Sequence, residues 1–125
     1  MPYLSPTDAL GAAFADLASI RDRMGPAPWR VGLIGEPGVR VVLLCWAPGD
    51  ATVPHRHPGA EELFLVIEGR ARFSVGDAER EVGPGELVVA RRGEIHAIAV
   101  PEGGPELVLL AAVAPNEDRP DEAIE

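Results

Sequence analysis

Two periodicities divide the chain. Near the start, Leu10, Phe14, Leu17 and Met24, with the adjacent Ala13 and Ile20, recur at helical spacing, while Asp16, Arg21, Asp22 and Arg23 mark the opposite face. Ser5-Pro6-Thr7-Asp8 supplies a capping serine, a proline at the first helical position and an acid in the first turn; Gly25-Pro26 supplies the stop. The pattern predicts a helix over 6–24, packed on the main domain or on a partner subunit. From Trp29 onward the period changes to short β-branched or aliphatic runs divided by Gly and Pro, which predicts about eight or nine strands of an all-β sandwich or barrel. They centre near 31–34, 39–46, 52–57, 62–67, 71–75, 80–82, 87–90, 96–100 and 107–113. No helical stretch long enough for a crossover lies between them, which argues against a parallel α/β sheet. The organisation expected is a helix and linker over 1–28, one β domain over 29–114 and a tail over 115–125. That tail carries five acids, one arginine and two prolines, the composition of a solvated extension.

Composition narrows the function classes. With 125 residues, 46% hydrophobic and 25% charged, the chain has the make-up of one ordinary globular domain. Eleven basic against twenty acidic side chains give a net charge of −9, a field that repels phosphate backbones and anionic membrane surfaces, so no nucleic-acid partner is expected. The longest apolar runs, Val41 to Ala47 and Leu107 to Ala114, fall well short of the roughly 20 residues of a membrane helix. Met1 to Leu10 lacks the positive region of a secretory signal, and a cytoplasmic location is expected. The single cysteine, Cys45, sits inside an apolar run as small filler, and the absence of lysine excludes Schiff-base chemistry.

The chemistry gathers at the three histidines, His55, His57 and His96. On a strand, residues i and i+2 face one side, so His55 and His57 can offer two imidazoles to one ion. After the turn Pro58-Gly59-Ala60, Glu62 opens the next strand, where an antiparallel return would set its carboxylate beside them. Two imidazoles and a carboxylate on one face match a non-haem iron site, and His96 would complete a set of three nitrogens and one oxygen. A His-x-His pair alone also fits two solvated or hydrogen-bonded histidines, so the surroundings must decide.

Those surroundings read Gly49, five residues, His55, one residue, His57, four residues, Glu62, six residues, Gly69. This resembles the first motif of the cupin family in full. The second motif is matched in part by Gly85, five residues, Arg91, one residue, Gly93, two residues, His96, with Arg91 where the family usually has proline and Val100 where it often has asparagine. The resemblance covers roughly Val39 to Val113. It implies a small conserved β-barrel of jelly-roll type with a divalent metal held inside by His55, His57, Glu62 and His96. Glu61 competes for the carboxylate role, but the spacing to Gly69 and strand parity favour Glu62, which leaves Glu61 at the rim.

Parity anchored on the ligands outlines a pocket of Val53, Phe64, Val66, Phe73 and Ile98, with Trp46 lining or closing it. Leu63, Leu65 and Ile67 on the opposite face are also apolar and need a cover, either the helix or the second subunit of a homodimer. Arg91 stands as a contact for a substrate anion at the mouth. The metal expected is one divalent ion per chain among Fe, Mn, Ni, Cu and Zn, with Fe(II) favoured for an oxygenase. The function expected is a metal-dependent, dioxygenase-like enzyme acting on a small chelating organic substrate inside the barrel, with isomerase or lyase chemistry as variants. The alternative is a non-catalytic small-ligand or metal-sensing module acting through a partner protein.

Overall fold

A computed structural model describes residues 3–4, 13–116 and 122–123. Two sheets face each other. The larger has the order β1 (Tyr3–Leu4), β2 (Trp29–Glu36), β3 (Val39–Trp46), β10 (Leu107–Ala114), β5 (Glu61–Glu68), β8 (Leu87–Ala90). The smaller runs β11 (Glu122–Ala123), β4 (His55–Arg56), β9 (His96–Ala99), β6 (Ala71–Val75), β7 (Ala78–Val82). Every ladder is antiparallel except the parallel pair of β1 and β2. No ladder among the described residues joins the two sheets, so the expected barrel is a two-sheet jelly roll whose closure is made by side chains.

All nine expected strands form, and the one that differs most is the segment 52–57. Only His55–Arg56 pairs as strand there, preceded by an isolated bridge between Ala51 and Ala99. Pro54 has no N–H to give a ladder, and Thr52 substitutes its side chain: the Ile98 N–H donates to Thr52 Oγ1 at 2.9 Å.

The runs that are apolar on both faces are covered on the inner face and, on the outer face, only in part. Between the sheets lies a core of Phe64, Val66, Phe73, Ile98, Leu107 and Leu109. On the outer face of the large sheet, Trp29, Val31, Leu43, Cys45 and Val108 pack under Ile20 of the helix, with Leu17, Met24 and Ile67 at the margin. That helix, α1, spans Leu17–Met24 and is shorter than expected. Asp16 caps it, accepting from the Ser19 N–H at 3.2 Å. Phe14, expected on its buried face, precedes the cap and is 92% exposed. The expected start at Ser5-Pro6 and the expected contact of Leu10 lie outside the described residues, as does most of the tail. Glu106 locks the helix down: its carboxylate accepts from the Ala27 N–H at 2.6 Å and from Arg21, which also pairs with Glu68. Of the outward residues of β5, the helix covers Ile67, while Leu63 stays 41% exposed.

Gly69 turns the chain from β5 into β6 at φ +80, and a Cβ there would sit 2.2 Å from the Glu106 carbonyl oxygen. Only glycine fits this close approach, which fixes the register of Glu62 on β5.

Candidate metal centre

Strand alternation on β5 buries Glu62, Phe64 and Val66 and turns Leu63 outward. Glu62 therefore points from the large sheet into the sandwich. His55 on β4 lies directly opposite His96 on β9 in the small sheet, and His57 directly follows β4. The centre thus bridges the two sheets, with three imidazoles from one and a carboxylate from the other. One ligand atom from each of His55, His57, Glu62 and His96 lies within 4.8 Å of the others. His57, Glu62 and His96 are buried and His55 is half-buried.

The donors are prepared for a cation. His55 Nδ1 lies 2.8 Å from the Val53 carbonyl and His96 Nδ1 lies 3.1 Å from the Glu94 carbonyl, each ring donating there. Such anchoring fixes the tautomer and turns Nε2 inward as the ligating atom. His57 Nε2 and His96 Nε2 converge on the same oxygen, Glu62 Oε1, at 2.7 and 3.0 Å. Burial pushes the Glu62 carboxyl upward, but hydrogen bonds and positive charge from His57 and His96 outweigh it and hold the group at about 2, so it is a carboxylate throughout the physiological range. Three nitrogen donors and one ionised oxygen donor suit a divalent first-row metal. The four residues fit such an ion.

A cavity of about 240 Å³ opens on this centre, and His55 and Glu62 form part of its wall. Trp46, Phe64 and Ile98 line it, together with Val42, Leu44 and Val113. Val66 and Phe73 do not; both are core, Phe73 packing on Phe64 at 5.6 Å between ring centroids. Val53 is a correction: it is 60% exposed and outside the cavity, because the irregular stretch before His55 does not carry strand parity through Pro54. Arg91 is a second correction. Its turn is closed by the Arg91 N–H donating to Glu94 Oε1 at 3.1 Å and by the Gly93 N–H donating to the His57 carbonyl at 2.9 Å, and its side chain borders a different hollow, beside β7 and β8. Glu61 sits outside the cavity, paired with Arg92 at 3.3 Å.

Two of the cavity residues that the sequence did not point to are charged, Arg30 on β2 and Arg40 on β3. No motif marks them. The usable signal was parity, since Arg40 shares a face of β3 with Val42, Leu44 and Trp46. Cys45 faces the other way, fully buried beneath the helix, and burial raises its thiol to about 11. It is inert filler.

Two facing sheets with histidines on one and a carboxylate on the other define the class, a jelly roll with a cluster that could hold a metal ion. Residues 42–113 match the family model of the cupin domain, and the chain belongs to that family. Similar solved structures include the TT1209 protein of Thermus thermophilus (TM-score 0.73, 23% identity, 85% of this chain and 100% of that one). A conserved protein of Klebsiella pneumoniae with a double-stranded β-helix domain has a TM-score of 0.73 and 22% identity over 91% of this chain and 99% of that one. The polyketide cyclase RemF of Streptomyces resistomycificus has a TM-score of 0.66 and 25% identity, over 77% of this chain and 70% of that one. No curated protein matches. Among the described residues no helix is long and apolar enough to cross a membrane.

Proposed function

We propose that this chain is a metal-dependent enzyme that transforms a small chelating organic molecule inside the jelly roll, dioxygenase-like with Fe(II). The observation that carries the reading is that two of the four donors, His55 and Glu62, face a cavity whose other walls are largely apolar. His55, His57, Glu62 and His96 would hold a divalent ion, which would supply Lewis acidity and, as iron, electrons for oxygen.

The protein's own part is to hold the ligand set, shape the space and exclude water. Val42, Leu44, Trp46, Phe64 and Ile98 make the dry wall. Thr52 lines the cavity too, but its hydroxyl already accepts from Ile98. Apart from the ligands themselves, the described lining offers no carboxylate, imidazole, phenol or amine to serve as general base. This favours chemistry whose electrons run through metal and oxygen over an isomerase or lyase built on a protein base. The likeness to RemF supports a second reading, a non-redox metal-dependent reaction of the cyclase type. The homodimer expected from the sequence belongs to the same proposal, with the exposed Leu63 face of β5 as the surface to be covered.

Elemental analysis of untagged wild type beside His57→Ala, followed by oxygen uptake after anaerobic iron loading with small chelating acids, diketones and thiols, tests this. The expected result is about one metal per chain, lost in the variant, with uptake that follows iron. Metal bound equally by wild type and His57→Ala refutes the site. Metal bound as expected, with no uptake across the panel, refutes the oxygenase reading in favour of the non-redox one.

A further inference from the structure

The net charge of −9 makes the cavity wall unexpected. Five arginines of the chain, Arg21, Arg70, Arg72, Arg80 and Arg92, form ion pairs with glutamates outside the cavity. Arg30 and Arg40 line the cavity, where the only acidic residue among those described is Glu62. Arg40 thus places a cationic side chain in the lining beside that carboxylate, and a divalent ion would add two positive charges.

Register shows how Arg40 addresses the centre. Arg40 on β3 pairs with Val113 on β10, and Val113 pairs with Glu62 on β5. The three form one row across the large sheet, and their side chains share its inner face. Two strand spacings of about 4.8 Å put the Arg40 and Glu62 backbones roughly 10 Å apart, so a guanidinium on its extended stem and a metal beside Glu62 can hold opposite ends of one small molecule. On β2, Arg40 and Val42 face Gly35 and Gly32, so no side chain from that strand fills the row. Arg40 Nε is buried and makes no hydrogen bond among the described residues. A buried guanidinium nitrogen without an acceptor is costly, and a ligand oxygen would satisfy it.

We infer that the cavity takes a small organic carboxylate, one end addressed to the metal centre and an anionic carboxylate end held by Arg40 with Arg30. This deepens the proposed function and rests on the cavity being its substrate site. The planar fork of arginine matches a carboxylate bidentately, which neutral isosteres cannot reproduce. Arg30 and Arg40 take over the anion-contact role that the sequence assigned to Arg91.

Trp46 lines the cavity and provides the readout. Fluorescence titrations with malonate and with its neutral diamide, malonamide, would be run on metal-loaded and on chelator-stripped protein, wild type beside Arg40→Met and Arg30→Met. Thermal melts would confirm that each variant is folded. Wild type is expected to bind malonate at least about tenfold more tightly than malonamide, as expected for a charge-assisted pair. Arg40→Met should erase that preference while leaving metal content unchanged, and Arg30→Met should reduce it. Equal binding of the two probes by wild type, binding of neither, or a preference that survives in a folded Arg40→Met would overturn the inference. The stripped protein keeps the outcomes separate: if no metal binds at all, a malonate preference that depends on Arg40 still stands on its own.

Discussion

Replacing Glu62 by glutamine in the metal-free protein measures the electrostatics on which the centre is built. Glu62 is 8% exposed and accepts from both His57 Nε2 and His96 Nε2. Those partners lower its carboxyl from 4.5 to about 2 against the upward push of burial. At about 1.4 kcal/mol per pH unit, this difference corresponds to roughly 3 kcal/mol of folding stability. Because the folded-state value lies below the unfolded one, the contribution is fully present above 4.5 and disappears as pH falls toward 2. By about pH 3 the unfolded chain has taken up the proton and the folded one largely has not, so about 2 kcal/mol of it is gone. Glutamine keeps the volume and removes the titration. Urea unfolding of wild type and Glu62→Gln, both in chelator, at about pH 6 and about pH 3 provides the comparison; every other carboxylate is common to both proteins, so their difference reports Glu62 together with its coupling to His57 and His96. The stability advantage of wild type should shrink by about 2 kcal/mol between the two conditions. An advantage that stays constant would show that the His57 and His96 bonds do not hold the carboxylate as the geometry requires.

Two further outcomes test the scaffold. Gly69→Ala combines a φ of +80 with a Cβ 2.2 Å from a main-chain oxygen, whereas Gly103→Ala has a φ of +77 and nothing within 4 Å. The first should lose more than about 2 kcal/mol in chemical denaturation and the second only about 1; equal losses would dismiss the close approach. Cys45, buried under the helix with its thiol raised to about 11, should stay silent toward a thiol reagent in the native protein and react stoichiometrically once unfolded. Rapid native labelling would show that the helix does not seal this face.

The alternation of β5 made Glu62, Phe64 and Val66 an inward set from sequence alone, because a strand's period of two leaves one register once a ligand is fixed. The same rule failed at Val53, where Pro54 and the side-chain bond of Thr52 to Ile98 replace a ladder, and parity cannot cross irregular backbone. At the N-terminal helix, the recurrence of Leu17, Ile20 and Met24 gave the docking face, but periodicity could not tell that Asp16, not an earlier residue, begins the helix as described. Phe14 fell outside for that reason.

Local pattern, then, sufficed for an all-β class and for nearly every strand, while the four side chains of the centre came from the resemblance of their spacings to the cupin motifs. Tertiary pairing decided the rest. Arg40 reaches the row of Glu62 only through β10, which lies far along the sequence from both, and Arg30 reaches the same wall through β3. Arg91, close to His96 in sequence, is carried away from the cavity by the hydrogen bonds of its own turn. Proximity along the chain fixes which ligands can meet, whereas the order of strands in a sheet fixes which charges surround them.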